Sequence, residues 1–169
     1  MIQSEDQIGS NVPSEYKHEL LVSATMSGNV TSLTSLHNIP LQTGIWGSGV
    51  AIKTRGTACI SPFDGTVEKL DIASQRWILK SKEGLRLCIQ IGPTSSSLLG
   101  ERLSIHKRVN DKIQQGDIIC NIDPVFLQKK LGHCYCVMTI LNKKGVNAIV
   151  CEKENTKVTV ENTVIRIYL

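Results

Sequence analysis

The side chains able to do chemistry in this 169-residue chain are four histidines and six cysteines, and two glutamines bear on the same question: Gln90 in a strand-like run and Gln75 just before another. An imidazole nitrogen accepts a proton or a phosphoryl group, and a thiolate binds soft metals. A carboxamide is a poor nucleophile, because its nitrogen lone pair is delocalised into the carbonyl. His133-Cys134-Tyr135-Cys136 brings soft ligands close together, yet a structural zinc site takes four ligands at characteristic spacing and no second Cys or His pair stands nearby. No metal is expected. His18, His37, His106 and His133 are expected at the surface. Walker-type and Gly-x-Gly-x-x-Gly runs are absent, and Gly47-Ser48-Gly49 alone makes no nucleotide site, so neither a kinase nor a dehydrogenase is expected, and no cofactor.

The elements that must carry these residues are short and β-rich. Apolar runs recur at 20–22, 29–33, 50–52, 57–60, 66–70, 77–80, 85–91, 117–122, 136–141, 148–150, 157–160 and 164–168, separated by turn residues, a pattern that predicts an all-β sandwich or barrel. Gly65, Gly84 and Gly116 stand where tight turns need positive φ. One helix is predicted near 123–131: Asp123 as N-cap, Pro124 at the first helical position, Val125, Phe126, Leu127 and Leu131 on an apolar side, and Gly132 as the stop. In the run 85–91, alternation sets Leu85, Leu87, Ile89 and Ile91 on one face and Arg86, Cys88 and Gln90 on the other. Gln90 is therefore expected as a polar group at a surface or shallow cleft.

Composition narrows the class further. The length fits one compact domain, and the net charge of +4 comes from scattered Lys and Arg with only short clusters, which with few aromatic residues argues against nucleic acid. The cysteines lie in apparent strands of a chain that is not cysteine-dense, so free thiols are expected. Residues 1–16 are polar and are expected as a flexible N-terminal arm preceding a domain over 17–169. No apolar run reaches membrane-spanning length and the start lacks signal-peptide character, so the expectation is a cytoplasmic protein without membrane insertion.

From about His18 onward the chain resembles the glucose-type enzyme IIA component of the sugar phosphotransferase system. The resemblance rests on Met26-Ser27-Gly28, on 47–53, on Ser61-Pro62-Phe63-Asp64-Gly65-Thr66-Val67, on Ile91-Gly92, Leu99-Gly100-Glu101 and Gly116-Asp117 with Asp123, and on the closing 158–161 and 164–167. It implies a β-sandwich with a duplicated hybrid motif, and a shallow apolar depression around two histidines, one of which carries the phosphoryl group. Gln75 and Gln90 stand at those two histidine positions. Ala73 replaces a common threonine, Ser48 and Thr94 occupy positions that are usually aspartate, and Arg86 and Lys144 lie where acidic residues can stand.

The recognition face has thus lost negative charge, which implies weakened or absent docking of the basic phosphocarrier HPr. Ile39, Leu41, Ile45, Trp46 and Ile78 remain for an apolar patch beside Gln75 and Gln90, although Asp71, Cys88 and Ser96 thin it. The metal that the family shares between its histidines has no ligands here, and the His-x-His of related zinc peptidases is absent. His37, in a segment running toward the face, lacks the geometry of a substitute phosphoacceptor. The expected function is a non-catalytic enzyme IIA-like, protein-binding regulatory module that mimics the unphosphorylated state, with a transporter, metabolic enzyme or regulator as partner. The alternatives are a working phosphocarrier in sugar transport and a copy without a selected partner.

Overall fold

The computed structural model describes residues 11–93, 95–141 and 144–169, and of Ile39 the backbone only. The first ten residues of the expected arm, and Thr94, lie outside the described residues. The chain runs β1 (Glu19–Ser23), β2 (Gly28–Ser32), a 3-10 turn (Leu33–Ser35), α1 (Ile39–Gln42), β3 (Ser48–Thr54), β4 (Ala58–Ile60), β5 (Gly65–Asp71), β6 (Arg76–Ser81) and β7 (Arg86–Ile91). A second 3-10 turn (Ser95–Leu98) leads into β8 (Ser104–Ile105), β9 (Lys112–Ile113), β10 (Ile118–Asn121), α2 (Pro124–Leu131), β11 (Tyr135–Ile140), β12 (Ala148–Cys151), β13 (Lys157–Val158) and β14 (Thr163–Tyr168).

Eight strands form one antiparallel sheet in the order β13-β2-β3-β11-β7-β6-β5-β9, and two three-stranded sheets, β1-β14-β12 and β4-β10-β8, complete an all-β sandwich. The main core lies on the inner face of the large sheet. Val50 and Ile52 of β3, Trp77 and Leu79 of β6, Leu87, Ile89 and Ile91 of β7, and Cys136, Met138 and Ile140 of β11 all point into it. This is the alternation expected for the run 85–91, and it sends Arg86, Cys88 and Gln90 to the opposite, outer face.

Local chemistry sets the edges of these elements. The Asp123 carboxylate accepts from the Phe126 amide at 2.9 Å, and Gly132 ends α2 at φ 77°. That is the expected cap and stop, but only Phe126 and Leu127 are buried, while Val125 is 77% exposed. The helix is short, so its inward stripe is a single turn wide. Gly84 and Gly116 have the expected positive φ, at 87° and 92°. Gly65 differs: it starts β5 without positive φ, and a Cβ there would stand 2.0 Å from the Lys80 carbonyl oxygen, so close backbone approach is what excludes a side chain.

Tyr16, assigned to the arm by sequence, packs edge-on against Tyr168 with ring centroids 4.8 Å apart, and the Lys17 amide donates to the Leu169 carbonyl at 2.7 Å. All six cysteines are free. Cys59 and Cys120 face each other across β4 and β10 and lie with Cys136 in the main core. The hydrogen bond with Cys120 and burial hold the Cys59 thiol well above its ordinary value, and the hydrogen bond with Cys59 and burial do the same for Cys136.

Candidate site on the outer face of the large sheet

A small second cluster covers part of the outer face. Leu33, Leu36 and Leu41, from the segment between β2 and β3, pack on Ala51 of β3 and Val137 of β11, with Trp46 and Tyr135 at its margin. Ser32 caps the 3-10 turn by accepting from the Thr34 amide at 3.3 Å. The Gln42 side chain donates to the Leu36 carbonyl, which folds α1 back on that turn.

Strand register places the residues beneath and beside this cover. Thr31, Ala51, Val137, Gln90, Arg76 and Asp71 form one row across β2, β3, β11, β7, β6 and β5. Gln90 thus has Val137 on one side and Arg76 on the other. The Arg76 guanidinium lies 4.4 Å from the centroid of the Trp46 ring. Trp46 therefore rests on the cluster that contains one neighbour of Gln90 and stacks with the other neighbour, so the two side chains bracket Gln90.

The burial that follows corrects the sequence reading. Gln90 is 4% exposed and Gln75 only 1%, so neither is a polar group presented at a surface. The reason is long-range: alternation identifies the face of β7 that bears Gln90, but the segment 33–46 that covers this face comes from elsewhere in the chain. Leu41 is 2% exposed and belongs to the cover's own core. Ile45 is 73% exposed, while Trp46 and Ile78 are half-buried, so these three carry what apolar surface the expected patch offers. The side chain of Ile39 lies outside the description.

The turn between β5 and β6 holds Gln75. Asp71 accepts from the Ser74 hydroxyl at 2.7 Å and from its amide at 3.2 Å, and these bonds keep the Asp71 carboxyl below its ordinary pKa. Gln75 then adopts φ 49°, a left-handed conformation that costs a non-glycine residue energy. Its carbonyl accepts from the Ile91 amide at 3.0 Å, which joins the turn to the end of β7. The Ser95 hydroxyl binds the Ser74 and Ile91 carbonyls at 3.2 and 2.9 Å, and the Gln90 amide nitrogen reaches Ser74 O at 3.5 Å. The two glutamines are thus brought together by backbone contacts.

Among the described residues, neither polar atom of the Gln75 amide has a hydrogen-bond partner, and the Arg76 Nε has none. An unsatisfied buried group costs on the order of 1–3 kcal/mol. Arg76 and Ser95 were not singled out from sequence. Arg76 was detectable, because antiparallel pairing of β6 with β7 sets Arg76 and Ile78 on the face of Gln90 and Cys88; Ser95 left no signal. The charge of Arg76 also acts on Cys88, whose thiol is pushed up chiefly by burial and drawn back by the guanidinium.

Arg86 pairs with Glu68 at 2.7 Å, which offsets its positive charge. His37 and His106 are exposed, and His106 Nε2 contacts the Asn121 Oδ1 at 2.6 Å. His133 is half-buried, contrary to the expected surface position, and burial lowers its pKa. It shares the outer face with Tyr135, 5.3 Å away between ring centroids, while Cys134 and Cys136 point into the main core, so alternation splits this candidate ligand set between two faces.

The fold is an antiparallel all-β sandwich with Gln75 at the β5–β6 turn held beside the end of β7, and comparison with known proteins gives the family. Residues 20–146 match the phosphoenolpyruvate-dependent sugar phosphotransferase system EIIA 1 family, and the chain belongs to it. It is 24% identical over 132 residues to the glucose-specific EIIA component of the phosphotransferase system of Haemophilus influenzae, covering 78% of this chain and 80% of that protein. The glucose permease IIA of Mycoplasma capricolum shares the fold with a TM-score of 0.80 and 18% identity, over 89% of this chain and 96% of the other. Among the described residues no helix is long and apolar enough to cross a membrane.

Proposed function

We infer that this chain is a non-catalytic member of the EIIA family, a cytoplasmic module that binds a protein partner and mimics the unphosphorylated state. The observation that carries the reading is the pair Gln75 and Gln90: two carboxamides, 1% and 4% exposed, at the positions where the resemblance places the phosphotransfer histidines. Neither offers a nucleophilic nitrogen, and neither is open to an incoming phosphoryl group. Neutral amides also present no charge like that of phosphohistidine, so a partner that prefers the unphosphorylated surface meets it permanently.

The partner-binding surface in this reading is Ile45, Trp46 and Ile78 around the covered glutamines, with Trp46 as anchor. An aromatic side chain half-buried beside an arginine has the character of an interface centre. Loss of acidic groups from this face opposes HPr docking. Family membership favours the second reading, a working phosphocarrier in sugar transport. The test is affinity for a partner captured from the host and then purified, using Trp46→Ala and Gln90→Glu after circular dichroism shows each is folded. Trp46→Ala is expected to cost on the order of 2 kcal/mol of binding. Gln90→Glu is expected to weaken binding by adding negative charge. Unchanged affinity in both folded variants places the interface elsewhere.

A further inference from the structure

The outer face of the large sheet continues into a second feature, apart from the Trp46 surface. Two residues along from the Gln90 row, Lys157 of β13 opposes Asn29 of β2, Asn29 opposes Lys53 of β3, and Lys53 opposes Tyr135 of β11. Lys157 and Lys53 are therefore two strand spacings apart, ~10 Å. They line an open cleft of about 1160 Å³ whose other wall is α2.

Arg55 and Lys129 complete its charge, and no Asp or Glu lines it. All four cations are exposed, and among the described residues none has an ion pair. Five cations outside the cleft, Lys82, Arg86, Arg102, Lys107 and Arg166, are each held by a carboxylate, whereas among the described residues no carboxylate neutralises the four gathered here. Like charges around one concavity raise its potential and attract anionic groups.

The cleft is also structured. The Thr54 hydroxyl donates to the Ser27 carbonyl at 2.7 Å and accepts from the Gly56 amide at 2.9 Å, which ties two backbone segments of its wall together. Val125, the apolar helix residue left 77% exposed, lines the opposite wall.

We propose that this cleft is a docking groove for an acidic polypeptide segment of a partner protein, with Asp or Glu side chains against Lys53, Arg55, Lys129 and Lys157 and an apolar side chain against Val125. Nucleic acid is disfavoured because no aromatic side chain lines the cleft to stack a base. The inference stands whether or not the Trp46 face binds a partner.

The experiment is an NMR titration of the isotope-labelled full chain with the peptide Glu-Glu-Leu-Glu-Glu-Leu-Glu-Glu, the same peptide with Gln for Glu, and a single-stranded oligothymidylate. The expected result is saturable shifts of the Asn29, Lys53, Thr54 and Gln128 amides with the acidic peptide, weakened by salt and absent with the Gln peptide. Lys53→Glu with Lys157→Glu should lower affinity at least tenfold, and Arg108→Glu with Lys112→Glu, outside the cleft, less than twofold. If the first double variant loses its dispersed spectrum, Arg55→Ala and Lys129→Ala replace it, each with a severalfold loss expected. Absence of shifts at the cleft, equal binding of the Gln peptide, equal loss in the control variant, or tighter binding of the oligothymidylate overturns the proposal.

Discussion

At the scale of single residues, Gln75 is under the most tension. A buried side-chain carboxamide with no partner among the described residues, on a left-handed backbone, is a poor choice for stability alone. Methionine has nearly the same shape and no polar atoms to satisfy. Gln75→Met is therefore expected to stabilise the fold by ~1 kcal/mol, a rise in Tm of roughly 2–4 °C for a chain of this size, measured by thermal unfolding. A loss of stability would mean that the amide is well solvated or bonded in solution. Gln90→His is expected to restore no efficient phosphotransfer. The new imidazole would stand between Val137 and Arg76 under the cover, without a second imidazole beside it. Geometry and access are separate deficits. A phosphotransfer rate in this variant close to that of an authentic enzyme IIA would refute the claim.

At the scale of elements, the cover formed by residues 33–46 decides what the site is. Leu41 is its most deeply set side chain, and Leu41→Ala is expected to cost ~2–4 kcal/mol, read from urea unfolding. The same variant should speed hydrogen exchange at the Gln90 amide more than at Ile119 on the far sheet, and equal acceleration at both would deny the segment its role as a local cover. The longer strands were legible in the sequence as short apolar runs between turn residues, and alternation set the two faces of β7, whereas β11 is buried on both faces and shows no alternation. α2 was legible from Asp123, Pro124 and Gly132. Among the strands and α-helices, three were not. β8 and β9 are two residues each and exist through pairing with β10 and β5. α1 is a four-residue turn containing Pro40, too short for a helical period. The positions of Gln75 and Gln90 were legible, but their burial was not, since it depends on contacts between segments far apart in sequence.

At the scale of the whole molecule, charge pairing sets the pH dependence. Hydrogen bonds from Lys82 to Asp64, from Ser74 to Asp71, from Lys107 to Asp117, and from the Phe126 amide to Asp123 each hold a carboxyl below its ordinary pKa. A depressed folded-state pKa contributes stability above the unfolded value of about 4, and that contribution is lost as pH falls through the folded values. Burial also lowers the His133 pKa, so its contribution is present above the unfolded value of about 6.5 and is lost as pH falls through the folded value. The urea midpoint is therefore expected to decline modestly from pH 7 to 5 and to fall further below pH 4. A midpoint unchanged at pH 3 would show that these bonds contribute nothing net.

The most direct measurement on the molecule is its intact mass after incubation with phosphoenolpyruvate, enzyme I and HPr, alongside an authentic enzyme IIA as the positive control. In the proposed reading Gln75 and Gln90 stand where the family has imidazoles, and both are buried, so the mass should remain that of the unmodified chain while the control gains one phosphoryl group. A stoichiometric, acid-labile phosphate on this chain, at His37 or any other residue, would contradict the non-catalytic assignment.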